Sequence, residues 1–142
     1  MLRDLHNEIK VSRAISPAAA TTDNTAFVSQ IADTLNFESL EFVGCAGSIA
    51  DADVTFTVLV EEGDNSSLTD AAAVADADLL GTEVGAAVLF SDDNKSFKIG
   101  YKGVKRYVRV TITPAANSGN IFLAAVWVQS HPRTGPQSAQ IV

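Results

Sequence analysis

A period of two constrains this chain more than any other feature. In Val54–Glu61, Val54, Phe56, Val58 and Val60 are apolar, while Thr55, Thr57 and Glu61 fall on the opposite side, interrupted by Leu59. Strict alternation with β-branched residues makes a strand with one face buried. The same parity recurs twice. Phe97, Ile99 and Tyr101 alternate with Ser96, Lys98 and Lys102; Val108, Val110 and Ile112 alternate with Tyr107, Arg109, Thr111 and Thr113. Such patterns belong to antiparallel sheets with one face on the core and the other toward solvent or a partner.

Other segments read as strands with less regularity. Leu40–Cys45 and Ile121–Val128 are apolar on both faces, which suits central strands of a sandwich or strands beneath an oligomer contact. Ile9–Arg13, Ala26–Ile31 and Val84–Phe90 bring the expected number to eight. Turn formers cluster at Glu62–Ser66, Ser91–Asn94, Lys102-Gly103 and Pro114–Asn120. One short helix is expected at Ser67–Ala75, capped by Ser66 or Ser67 with Asp70 in its first turn. Many short strands, no βα alternation and no internal repeat predict an all-β fold: an antiparallel β-sandwich or jelly roll of about eight strands with at most one short helix. At 142 residues the chain is expected to form one domain. An N-terminal arm (about 1–8) and an extended C-terminal tail (about 131–142, with Pro132 and Pro136) flank it, the tail becoming ordered only when bound.

Charge is unevenly placed. The net charge is −7, which opposes nucleic-acid binding. Between Ala14 and Asn94 lie 15 acidic residues and no Lys or Arg; Lys95, Lys98, Lys102, Lys105, Arg106 and Arg109 then follow with no acid among them. Folding could pair the cationic strands with acidic ones, or the two patches could face different copies or another partner. The charged fraction, 19%, is low for a solvated monomer, where about a quarter is typical. That hints at surface covered by something else.

No catalytic constellation emerges. His6 and His131 lie near opposite ends, and neither a G-x-S-x-G elbow nor a P-loop is present. Cys45, in a strand pattern between Gly44 and Ala46, is expected to pack in the core, and Trp127 in the core or a subunit interface. The acidic clusters Asp51/Asp53, Glu61-Glu62-Gly63-Asp64-Asn65 and Asp76/Asp78 offer oxygen ligands without the spacing of an EF-hand loop. No cofactor is expected. The longest apolar run has eight residues, too few to cross a bilayer as a helix, which takes about 20. The mixed, charged start lacks the apolar core of a secretory signal, so synthesis in a reducing compartment, without secretion by a standard route, is expected.

Several segments are similar to a known family. Ala14–Pro17, Thr22–Ile31, Ser39–Val43, Phe56–Asp64 and Lys105–Pro114 resemble small proteins of tailed bacteriophages, over about Asn7 to Pro132. Members with a role resemble head decoration or cement proteins. The resemblance implies a jelly-roll-like fold, a homo-oligomer (dimer or trimer), attachment to the major capsid protein on the outside of the shell, and no enzymatic activity. It carries no residue roles. Candidate capsid or subunit contacts are therefore read from charge and from the arms: Leu2, Arg3, Leu5, Lys98, Lys102, Lys105, Arg106, Arg109 and Arg133. The alternative is a carbohydrate- or receptor-binding sandwich module of a phage spike or fibre, with a hydrolase ranked below both.

Overall fold

The computed structural model describes residues 4–142; Leu2 and Arg3 lie outside the described residues. The chain forms two antiparallel sheets packed face to face. Its strands are β1 (Ile9–Ile15), β2 (Phe27–Val28), β3 (Ala32–Asp33), β4 (Phe37–Ile49), β5 (Thr55–Gly63), β6 (Ala72–Ala73), β7 (Leu79–Leu80), β8 (Ser96–Tyr101), β9 (Tyr107–Ala115) and β10 (Ile121–Pro132), with a one-turn helix α1 (Glu83–Ala86). Sheet A has the order β1-β10-β4-β8-β7. Sheet B has the order β2-β9-β5-β6, with β3 also on β9. The fold is thus the all-β sandwich that the alternation predicts.

Parity decides what is inside. Sheet B turns Phe56, Val58 and Val60 of β5 and Val108, Val110 and Ile112 of β9 inward, all buried. Sheet A answers with Leu40 and Phe42 of β4, Ile99 of β8, and Leu123 and Trp127 of β10. Each such side chain contributes about 1.5–3 kcal/mol by leaving water. Trp127, 2% exposed, meets Phe42 edge-on with centroids 5.2 Å apart. Phe97 reaches over Gly44, where an added Cβ would come within 2.2 Å of the ring, so glycine makes room for the aromatic. The indole Nε1 donates to the Gln30 carbonyl at 2.9 Å, and Gln129 Nε2 donates to the Asp33 carbonyl at 2.8 Å. The segment carrying these carbonyls also pairs with β9 through β2 and β3. It therefore ties the two sheets together along one side.

Four expectations change. Val84–Phe90 is not a strand: Thr82 caps α1 by accepting from Gly85 N–H at 2.9 Å, and Ala86 at the end of α1 and Val88 in the coil after it pack into the core. A short apolar run does not fix a period. Ser67–Ala75 is not a helix. The Asp70 carboxylate turns back to accept from Asp64 and Asn65 N–H, Leu68 adopts φ +50°, and Ala72-Ala73 pair with Glu62-Glu61 as β6. Local side-chain acceptors compete with helical hydrogen bonds in this way. Cys45 is not in the core. Because Phe42, Gly44 and Ala46 face inward, Cys45 faces outward and is exposed. The C-terminal tail is not a free arm either: β10 continues through Pro132, Arg133 N–H donates to the Asn36 carbonyl, and Gln137 N–H donates to the Asn7 carbonyl.

The aromatic centre yields a stability prediction. Phe42→Ala removes the ring between Trp127 and Phe97 and should cost about 3–5 kcal/mol. Val104→Ala, at a fully solvated position, should change stability by less than about 0.5 kcal/mol. Urea unfolding followed by tryptophan fluorescence compares them.

Candidate binding surfaces

The cationic stretch divides into paired and unpaired charges. Glu61 and Arg109 face each other across β5 and β9, and Arg109 Nη2 donates to Glu61 at 2.8 Å in a half-buried pair. Arg106 grips Asp33 through Nε at 2.8 Å and Nη2 at 2.9 Å, while its guanidinium lies 5.0 Å from the Tyr107 ring centre. Lys105 pairs with Asp64, and Lys95 with Asp92. For these residues folding does bring the basic strands beside acidic ones, so Arg109 is a strut within sheet B rather than a contact waiting for a partner. Arg133 stands 3.7 Å from Glu38 in an exposed, loose pair. Among the described residues, Lys98 and Lys102 have no carboxylate in ion-pair range. Leu5 is exposed.

Lys102, Lys105, Arg106 and Arg133 come together at one end of the sandwich. They line an open cleft of about 520 Å³ whose other wall is Thr34–Phe37. The turn after β8 is held at both of its ends. Lys102 N–H donates to the Asp78 carbonyl, and Lys105 N–H donates to the Tyr101 hydroxyl, which itself donates to Glu62. Burial first, and the Glu62 hydrogen bond second, push the Tyr101 phenol far above its ordinary range, so it stays a neutral donor. Gly103 lies on the Tyr101 ring, where a Cβ would approach within 2.5 Å. The turn therefore stands up from a rigid base and presents Val104, 96% exposed, between two lysines. Leu35 is exposed on the facing wall. Val104 escaped the sequence reading. Its signal was a lone apolar residue inside a run of turn formers and lysines.

The outer face of sheet A is a second surface. A shallow dish of about 330 Å³ there is lined chiefly by Arg13, Ile15, Pro17, Val43, Cys45 and Val126.

The acidic clusters are used in turns. Asp51 accepts from Asp53 N–H, Ser118 N–H and the Ser118 hydroxyl, which hold its carboxyl below the usual range. Asp70 is lowered by the Asp64 N–H, Asp92 by Lys95, and Asp33 by Arg106. Glu41 moves the other way, raised by burial against a partial offset from Lys98. Among the described residues no group of three or more His, Cys, Asp or Glu is arranged to hold a metal ion. No helix of the described residues is long and apolar enough to cross a membrane.

No family model matches the chain, and no curated protein matches it. Solved structures share its general shape. The CBM22-1–GH10 modules of Clostridium thermocellum xylanase 10B, complexed with xylohexaose, align over 86% of this chain and 28% of theirs, at 9% identity and a TM-score of 0.45. The CBM22-1 xylan-binding domain of Paenibacillus barcinonensis Xyn10C aligns over 87% of this chain and 83% of its own, at 11% identity and 0.44. A structure of infectious bursal disease virus Gt strain aligns over 92% and 34%, at 8% identity and 0.38. These figures describe a loose likeness of outline.

The turn aspartates set the response to acid. Their folded-state pKa values lie below the ordinary 3.8, so their contribution is present above about pH 4 and is lost as pH falls below it. Glu41 acts in the opposite sense: its contribution is complete below the ordinary 4.5 and is lost as pH rises above it, through its raised folded-state value. Six lowered aspartates, Asp4, Asp23, Asp33, Asp51, Asp70 and Asp92, outweigh one raised glutamate, so the protein should destabilise in acid. Asp51→Ala should lower the urea midpoint near neutral pH and reduce its further drop between about pH 5 and about pH 3.

Proposed function

We propose that this protein is a structural subunit of a bacteriophage virion, one that binds the outside of the assembled shell and cements neighbouring major capsid subunits. The observation that carries it is the pinned turn at the sandwich end, which presents Val104 at 96% exposure between Lys102 and Lys105. An exposed apolar tip on a rigid base can enter a pocket of a partner without first paying for ordering. The unpaired Lys102 beside it would favour an acidic rim around that pocket. The sequence resemblance to decoration proteins points the same way.

A sugar-binding role finds less support in the aromatic residues. Of the tryptophan and tyrosines, Trp127 and Tyr101 are buried and Tyr107 lies under the Arg106 guanidinium, which leaves Phe90 and Phe122 as exposed rings without a polar handle. The proposed location is the outer surface of the capsid, after synthesis in the host cytoplasm, with the major capsid protein as partner.

Shells assembled without the protein provide the test. Added back, it should co-sediment with them saturably and raise the temperature at which they release DNA. Val104→Asp should fold normally and weaken attachment by about tenfold or more, as hot-spot residues do. Lys102→Glu should weaken it less and flatten its salt dependence. Shells that neither bind the protein nor gain heat resistance would rule the cementing role out.

A further inference from the structure

The C-terminal segment crosses the end of the sandwich as an arch. Arg133 N–H donates to the Asn36 carbonyl at 2.8 Å, and four residues later Gln137 N–H donates to the Asn7 carbonyl at 2.9 Å. Between these pins the loop is braced from within, the Gln137 side-chain amide donating to the Thr134 carbonyl at 2.7 Å. The turn opposite is fixed as well. Leu35 N–H donates to Asp33 and Phe37 N–H donates to the Thr34 carbonyl, both at 3.0 Å, while Asn36 takes φ +73°, a conformation that asparagine tolerates. A cleft of about 520 Å³ stays open between the two walls, with residues 134–137 on one side and Ile9, Lys10 and the turn on the other. Small-molecule sites are concave, formed in advance and of about 300–1,000 Å³. This cleft lies across the Leu35–Phe37 wall from the one that holds Lys102 and Val104.

The lining states which ligand would fit. Ile9, the half-buried Phe37 ring and Pro136 supply apolar surface. Asp33 also lines the cleft, but its carboxylate is already answered by the Arg106 fork and the Leu35 N–H. Lys10 is not answered. Its Nζ lies 5.8 Å from the Phe37 ring centre, and it forms no ion pair among the described residues. The Asn36 side-chain amide and the Thr134 hydroxyl likewise make no hydrogen bond among the described residues, so both are free to bond a ligand. A cationic ligand would be repelled by Lys10, and a purely apolar one would leave the ammonium without a partner. One ammonium matches a monoanion, and a carboxylate takes a charge-assisted hydrogen bond from it. A phosphate dianion would keep one charge unmatched.

We propose that the cleft beneath the C-terminal arch is a binding site for a small organic acid, with its carboxylate on Lys10 and its apolar ring or chain between Phe37, Ile9 and Pro136. This does not rest on the shell-binding role, which uses the Val104 side of the turn, and its test needs no shells.

Titration of the full chain with 3-phenylpropionate, followed by amide nitrogen–proton NMR, tests it. Saturable shifts are expected at Lys10, Asn36, Phe37 and Gly135. The neutral amide of the same acid, 3-phenylpropylamine and acetate should each bind at least fivefold more weakly, because each lacks the anion or the ring. Lys10→Gln should weaken 3-phenylpropionate by about fivefold or more, Lys10→Arg should retain most of the affinity, and Lys98→Gln should leave it unchanged. The ligand series on the unaltered protein stands as the test even if a Lys10 variant fails to fold. Absence of saturable shifts, equal binding of the amide, the amine or acetate, or indifference to Lys10→Gln would overturn the proposal. So would shifts centred on Lys102 and Arg133, since the acid would then be held by the cations of the other cleft.

Discussion

Everything in this molecule depends on the contact between the two inner faces, centred on Trp127 and Phe42. The two rings, neighbours on β10 and β4 of sheet A, meet edge-on and are both buried against the core. The indole N–H then needs a partner, and the Gln30 carbonyl supplies it. That one requirement fixes the path of the segment from Phe27 to Asp33, which closes one side of the sandwich. Ser29 adds to the closure, accepting from Val110 N–H at 2.9 Å through its hydroxyl. Packing and polar satisfaction are therefore coupled. Among the described residues no buried side-chain nitrogen or oxygen lacks a partner.

The core leaves the surface free to differ from place to place. The sandwich end is stiff because its turn rests on Tyr101, a residue whose ring belongs to the core and whose hydroxyl belongs to the loop. The outer face of sheet B is braced by cross-strand pairs such as Glu61–Arg109. The outer face of sheet A mixes Val11, Val43, Val126 and Val128 with Arg13, Glu41 and Lys98.

Alternation made β5, β8 and β9 legible, because period two survives any tertiary arrangement once one face is buried. The apolar strands β4 and β10 were legible as central strands for a related reason: edge strands rarely carry apolar residues on both faces. Segments without a period were not legible. Val84–Phe90 looked like a strand, but the Thr82 cap and the burial of Ala86 and Val88 made it a turn of helix and a coil. Ser67–Ala75 looked helical, but the Asp70 carboxylate found backbone donors upstream. The charge split was visible at once. Which cations were already answered was not, since Asp33–Arg106 and Asp64–Lys105 join residues far apart in the chain.

By itself the sequence determined that this chain makes a β-sandwich and which parity of each regular strand faces inward, because those properties are local and periodic. Tertiary structure decided the rest. It placed Cys45 outside rather than inside, since a one-residue change of parity reverses a strand's faces. It separated ion-paired cations from unpaired ones, and it set Val11, Val43, Val126 and Phe122 from three strands on one face of a sheet. Surfaces of that kind are made by register between distant segments, and register is set only when the sheets close on their core.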